Sequence, residues 1–307
     1  HVRSRRQRQM CIRDSYTATQ HMILADIEID GALRKVIMQA PKNGFFYVID
    51  RTSGEFISAN NFVPMNWASH VDPDTGRPVE IQETNHKSQP ALTTPGPLGG
   101  HNWHPMSYSP KTGLVYIPAQ ETLFIYSTDK EFEYNPATWN TAQINEMTYL
   151  PKDPDELAMV DSATLGYLLA WDPIAQREVW RAQYKRPWTG GVLSTDGNLV
   201  FQGTSDGRFV AYAADSGDLL WSMDTGQGIV APPITYKIDN EQYVAVQVGY
   251  GGVYALMGGF EAANENPERD GRMMVFKMGG DKLEKPVKTI VQMNPTVVEM
   301  NSDALTI

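Results

Sequence analysis

Strand pairs that recur at a fixed period, each closed by a tryptophan, predict an all-β fold of stacked four-stranded antiparallel blades. The segment GYLLAWDPIAQREVW ends at Trp180, and GRFVAYAADSGDLLW ends at Trp221, 41 residues later. Each reads as an apolar strand, a small-polar turn, a second strand and then tryptophan, which is the pattern of a β-propeller blade. One such sheet cannot bury both of its faces, so neighbours must stack, with the tryptophan filling the gap between them. A third copy is worn. In PKNGFFYVIDRTSGEFISA, Asp50, Gly54 and Ser58 stand where Asp172, Gln176 and Trp180 stand, and Ala213 takes the aspartate slot in the Trp221 copy. The pattern supports about four blades, and closed rings take roughly 4–8. The alternatives are a tight ring or half of a larger one.

Taken in order, MILADIEIDGALRKVIMQAP from Met22 is a hairpin turning at Asp30-Gly31, a strong hairpin signal. Asn43-Gly44 and Ser53-Gly54 mark the next two turns. Residues 60–105 are rich in Pro, Asn, His and Gly and read as long loops, and 106–121 returns to a hairpin across Lys111, Thr112 and Gly113. A polar, aromatic insertion over 122–160 carries one short helix: Asp153 caps it, Pro154 opens it, and Asp155 and Glu156 load its first turn. Residues 193–212 hold two glycine turns between short strands, and two further strands flank Asp239-Asn240. One or two short helices are expected in all.

The composition is that of a globular β-rich chain: of 307 residues, 41% are hydrophobic and 20% charged, with 25 Gly and 20 Pro. The net charge is −10, yet residues 1–15 hold five arginines against one aspartate. An acidic body argues against nucleic acid, whose binding rests on neutralising phosphates. The basic head lacks the apolar core of a secretory signal, and MCIRDS within it looks like translated sequencing adapter. Residues 1–15 are therefore expected to be a non-native extension, with a basic nucleic-acid or lipid-binding arm as the alternative. The single cysteine, Cys11, falls there. That leaves no disulfide, thiolate metal site or haem attachment in the rest of the chain. No apolar run approaches the length of a membrane span.

Chemistry-bearing residues collect in the predicted loops. Lys42 precedes Asn-Gly and by itself reads as a solvated turn lysine. His101 and His104 form a His-x-x-His pair, but the flanking Gly and Pro argue against the helix on which such spacing clamps a metal. Trp188 reads equally well as a blade-core tryptophan or a ligand wall. The glycines after it, Gly190 and Gly191, would let backbone approach a flat ligand. Asp72 and Asp74 fit an Asp-rich turn better than a cation site.

Together, APKNGFFYVIDRTSGE, GGHNWHPMSYSPKTGLVYIP, the AWDP repeat, PWTGGVLSTDGNLVFQGTSDGRFVAYAADSGDLLW and GYGG resemble the quinoprotein alcohol dehydrogenases. These are eight-bladed propellers that use pyrroloquinoline quinone (PQQ) and calcium. The likeness runs from about Thr19 to Gly280 in several ordered blocks. It implies that residues 16–280 are the C-terminal half of such a propeller. Residues 281–307 would then be a tail, or a linker toward a cytochrome c domain carrying haem c outside this chain.

The resemblance implies that Lys42 sits beside the quinone oxygen where negative charge grows as hydride arrives, and that Asn102 and Trp103 contact the cofactor. Trp188, Thr189 and Gly190 would line it, with Gly251, Gly252 and Val253 on its far side. Relatives more often carry Asn at the Thr189 position. The calcium ligands and the base belong to earlier blades, so no metal ligand is assigned in this chain. The implied protein is periplasmic and oxidises primary alcohols to aldehydes. It passes electrons to cytochrome c and is completed by the N-terminal half of its own propeller, whose absence leaves blade edges exposed. The readings kept beside it are a non-catalytic propeller scaffold of the outer-membrane assembly type, and a methanol or sugar dehydrogenase with the same cofactor.

Overall fold

A computed structural model describes residues 16–84, 89–137, 140, 142, 153–254 and 271–280. The expected extension at 1–15, Cys11 and the tail at 281–307 lie outside the described residues. Four sheets carry the fold. Blade 1 is a meander of β1 (Met22–Ile29), β2 (Ala32–Gln39), β3 (Phe45–Asp50) and β4 (Phe56–Asn61). After it come the hairpin β5 (Ala68–Asp72) and β6 (Arg77–Glu80), and then β7 (Ala91–Thr93). Blade 2 begins with β8 (Ser107–Ser109) and β9 (Leu114–Glu121). An excursion carries β10 (Phe124–Tyr126), which pairs with β7, and helix α1 (Pro154–Ser162). The blade then closes with β11 (Leu165–Asp172) and β12 (Arg177–Tyr184). Blade 3 is β13 (Val192–Ser194), β14 (Leu199–Gly203), β15 (Arg208–Ala213) and β16 (Leu219–Asp224). The fourth sheet holds β17 (Ile234–Ile238), β18 (Glu241–Val248) and β19 (Arg272–Lys277), three strands among the described residues.

The sequence repeat is a structural one. Trp180 pairs with Ala170, Trp221 with Ala211 and Ser58 with Val48, and each time a bulge follows at the next residue of the inner strand. The turns obey local chemistry. Asp30 (φ 52°) with Gly31 (φ 75°), and Asp239 (φ 49°) with Asn240 (φ 65°), take the left-handed pairs that a two-residue hairpin requires. The Asp153 carboxylate accepts from Asp155 N at 2.9 Å and caps α1 as expected.

The core lies in the seams between blades. Ile23, Ile27, Val36, Met38, Phe46 and Val48 of blade 1 face Val115, Ile117, Tyr167, Leu169 and Trp171 of blade 2. The other face of blade 2 sets Tyr116, Leu168 and Trp180 against Val200, Val210 and Tyr212. Blade 3 in turn packs Phe209 on Val246, Val248 and Met274. Because β9 and β11 are covered on both faces, they read as nearly continuous apolar runs rather than alternating ones. Each large side chain buried in a seam contributes roughly 1.5–3 kcal/mol.

Two expectations need correction. Residues 60–105 are not loops alone, since they hold β5, β6, a 3-10 turn at Gln82–Thr84 and β7. Trp67 and Val71 from this stretch pack on Phe45, Tyr47 and Phe56 of blade 1. The strands escaped notice because they are only 3–5 residues long. The surface left open at the two ends of the row of blades is made of faces, beyond any bare strand edge. Met22, Ile37, Tyr47 and Ile49 line a groove of about 610 Å³ on blade 1, and Ile234, Ile238, Met273 and Val275 are exposed on the fourth sheet. A single layer of sheet buries one face against its neighbour and leaves the other open.

Candidate active-site loops

In an up-and-down blade, successive connections alternate between its two ends. The β2–β3 loop, the segment entering β8, the β12–β13 connection and the stretch after β18 therefore share one end. Lys42, Asn102–Trp103, Trp188–Gly191 and Gly251–Val253 lie on these four connections.

Backbone and amide bonds join the first three in series. Gly100 N donates to Lys42 O at 3.0 Å, and Gln120 N donates to Gly100 O at 2.9 Å. The Gln120 side chain donates from Nε2 to Leu98 O (3.2 Å) and Gly99 O (3.1 Å), and its Oε1 accepts from Trp188 N at 3.3 Å. Gly99 (φ 79°) must be glycine, because a Cβ there would stand 2.5 Å from Lys42 Cβ. At the far side, a Cβ on Gly252 (φ 89°) would reach within 3.2 Å of Trp188 Nε1. Trp188 itself sits at φ 63°, left-handed backbone that a bulky residue adopts only where its surroundings impose it.

The side chains make a half-aromatic wall. Trp188 is buried and stacks with Tyr254 at 6.2 Å, while Leu98, Val230, Tyr250 and Val253 pack around the pair. The edge of His104 meets Trp188 at 4.9 Å, and Trp103 lies over His104 at 4.1 Å with 46% of its surface exposed. Four polar groups here lack hydrogen-bond partners among the described residues, one of them the buried Tyr250 hydroxyl. The others are buried Trp188 Nε1, buried His104 Nε2 and the ammonium of half-buried Lys42, for which no ion pair or side-chain hydrogen bond is formed. Burial lowers the Lys42 pKa and pushes that of His104 down to about 3, with His101 adding to the effect. His104 is therefore neutral near neutral pH.

Not every expected residue points into this space with free valences. The Asn102 amide is turned on its own loop, donating to Leu98 O at 2.8 Å and accepting from Trp103 N at 2.9 Å. That leaves it one N–H and one lone pair for a ligand. Thr189 is buried and its hydroxyl accepts from Gln202 Nε2 at 3.0 Å; the same amide donates to Gly190 O at 2.8 Å. Gly190 and Gly191 are tight packing positions, where a Cβ would come within 2.8 Å of Ala231 O and 2.6 Å of Pro105. Gly251 faces open space, and Val253 backs Trp188.

His101 is wholly buried, with Nδ1 2.7 Å from Ala40 O and Nε2 2.6 Å from His104 O. Its pKa falls to about 4 through burial, against the pull of the two carbonyls. It works as a strut between the Lys42 loop and the Trp103 loop. Among the described residues no three His, Cys, Asp or Glu side chains converge as a metal site, and no helix is long and apolar enough to cross a membrane. Sequence reasoning missed Gln120, whose amide reaches Trp188, 68 positions away, and Gln202, whose partners lie on β12 and the connection after it.

A flat, anionic, carbonyl-bearing group fits this arrangement: aromatic walls for its faces, an unpaired ammonium and an indole N–H for its oxygens. PQQ is such a group.

Comparison with known proteins points the same way. Residues 163–244 match the family described as the glucose/ethanol/alcohol dehydrogenase β-propeller domain (PQQ). The chain is 52% identical over 250 residues to the quinohemoprotein alcohol dehydrogenase of Comamonas testosteroni, covering 78% of this chain and 34% of that protein. It is 46% identical over 299 residues to the 1-butanol dehydrogenase (cytochrome c) of Thauera butanivorans, covering 94% of this chain and 41% of the relative. The solved structure of a quinohemoprotein alcohol dehydrogenase from Pseudomonas putida superposes with a TM-score of 0.81 at 42% identity, over 89% of this chain and 41% of the other. The chain thus spans about two fifths or less of the length of the curated relatives it matches.

Proposed function

We propose that this chain, a homologue of the PQQ-dependent alcohol dehydrogenases, is the C-terminal half of an eight-bladed propeller that oxidises primary alcohols to aldehydes. In this reading residues 16–280 form the propeller half, and 281–307 are a tail or a linker toward a cytochrome c domain. Residues 1–15 are foreign to the fold. The protein works in the periplasm and hands electrons to cytochrome c. Calcium is held by ligands in the other half.

The observation that carries the reading is Lys42, a half-buried ammonium without a counter-ion, set on the same series of hydrogen bonds as Trp188 and next to the Trp103 loop. An unpaired cation left partly out of water is unfavourable by itself, and an anionic ligand removes that penalty. A non-catalytic scaffold would have no use for it.

PQQ, when bound, would supply a two-electron acceptor for alcohol oxidation, with the hydroxyl proton leaving to a base. The task of Lys42 is to hold positive charge beside the carbonyl oxygen on which negative charge accumulates. Trp188, backed by Tyr254 and Val253, would give the site a rigid aromatic wall, and the half-exposed Trp103 would keep water from it. The neutral His104 between these indoles adds no charge to compete with the lysine.

In the complete protein, Lys42→Ala should lower turnover per bound PQQ by about 100-fold or more while PQQ retention changes little. Steady-state rates normalised to cofactor content measure this. Full turnover with lost PQQ would remove the assigned role.

A further inference from the structure

We propose that Gln120 is a positioning residue that sets the two walls of the pocket against each other by holding the Gly99 loop and the Trp188 backbone with a single amide. The proposal rests on the reading of these loops as the PQQ site. Gln120 is the seventh residue of β9 and is buried, 3% exposed, in a strand otherwise apolar along its buried stretch. Three of its four amide valences are used: both N–H groups on Leu98 O and Gly99 O, and Oε1 on Trp188 N. Its own N–H binds Gly100 O, whose residue in turn donates to Lys42 O.

The two segments it joins are those that need holding. Gly99 presses on Lys42, at a distance that excludes any Cβ. Trp188 lies in the left-handed region, where a non-glycine residue is strained and persists only when fixed by its neighbours. Gln120 is placed to supply that fixing on the Trp188 amide itself. Only a group with two donors on one side and an acceptor on the other satisfies all three contacts. Among side chains of this size that is the carboxamide. A carboxylate would face two carbonyl oxygens with no proton to offer, whereas a carboxylic acid would recover one of the lost bonds.

The test uses the complete protein with Gln120→Leu and Gln120→Glu. In the PQQ-free protein, hydrogen exchange is followed in the segments 99–103 and 188–191, with β11 as the internal reference. PQQ dissociation constants are read by quenching of tryptophan fluorescence between about pH 8 and about pH 5, the range over which a buried glutamate takes up its proton. In Gln120→Leu both segments should exchange about tenfold faster, and PQQ should bind about tenfold more weakly at every pH, as the loss of buried hydrogen bonds implies. Gln120→Glu should match the leucine variant at the alkaline end and return toward wild type at the acid end.

Unchanged exchange in both segments, equal loosening of β11, or glutamate and leucine variants alike at all pH values would overturn the proposal. A wild-type protein that binds no PQQ, with both segments loosened in Gln120→Leu, would sink the cofactor reading and leave the positioning role standing.

Discussion

The blades end in two sets of connections built on opposite rules. At the hairpin end, Asp172 holds its turn by accepting from Ile174 N and Ala175 N at 2.9 Å each. Asp50 does the same for Thr52 N and Ser53 N, and adds an ion pair with Arg34 at 3.0 Å. Left-handed positions there fall mostly on glycine or on Asp and Asn, such as Gly31, Gly54, Gly217 and Asn240. At the other end a tryptophan occupies the left-handed region, a histidine and an indole N–H are buried without partners, and a lysine lacks a counter-ion. The first end meets most of its demand within its own turns, with Gln176 (φ 52°, its Oε1 buried without a partner) as the exception. The second holds unmet polar demand and strain that only the surrounding structure supports, which is the physical mark of a site shaped for something else to enter.

The sharpest way to break the contrast is Trp188→Ala. Removing this buried ring should destabilise the complete protein by about 3–5 kcal/mol, since alanine keeps the backbone strain and loses the stack on Tyr254. Urea unfolding measures it. A loss under about 1 kcal/mol, the size of an ordinary surface substitution, would mean the wall is not packed as described.

Next in size is a separation by pH. His104 is neutral in the fold, with a pKa near 3, whereas the unfolded chain takes up a proton near the ordinary value of 6.5. Below about pH 6.5 the unfolded state binds the proton and the folded state does not, so stability falls as pH drops toward about 3. Asp50 behaves otherwise. Its hydrogen bonds to Thr52, foremost that of the hydroxyl, with those of Ser53 and Arg34, hold its carboxyl well below the usual range. Its contribution is complete above the ordinary carboxylate value and is lost only below about pH 4. His104→Phe should therefore flatten the stability curve between about pH 6 and about pH 4, and Asp50→Asn only below that. Identical curves for the two variants would erase the distinction between the ends.

The smallest expected effect is Asp172→Ala. It should lower stability by about 1 kcal/mol through the two lost turn bonds and leave turnover per folded molecule unchanged. A substantial drop in turnover would mean that the hairpin end contributes to the site.

This asymmetry also explains what could be read in advance. The hairpin end was legible because its rules are local: Asp-Gly, Asp-Asn and the repeat aspartates Asp50 and Asp172 act on residues two or three positions away. The Trp180 and Trp221 spacing marked equivalent positions, and the structure gives the two the same pairing and the same bulge. Burial differs, since Trp180 donates to Ala214 O of the next blade at 3.1 Å while Trp221 is 39% exposed. What covers a repeat position belongs to its neighbour and is not written in the repeat. At the other end, Lys42, Trp103 and Trp188 stood out only through a family likeness. Gln120 and His101 bond to residues as far as 68 and 61 positions away, so no window of sequence displays their partners. The His-x-x-His spacing of His101 and His104 resembles a metal clamp until the ring nitrogens of His101 are found against backbone carbonyls.

The most direct test is a crystal structure of the complete protein with PQQ bound. The account predicts the Lys42 ammonium within hydrogen-bond distance of a quinone oxygen, with Trp188 and Trp103 flanking the ring system. PQQ seated elsewhere, with Lys42 still unpaired and turned to solvent, would contradict it.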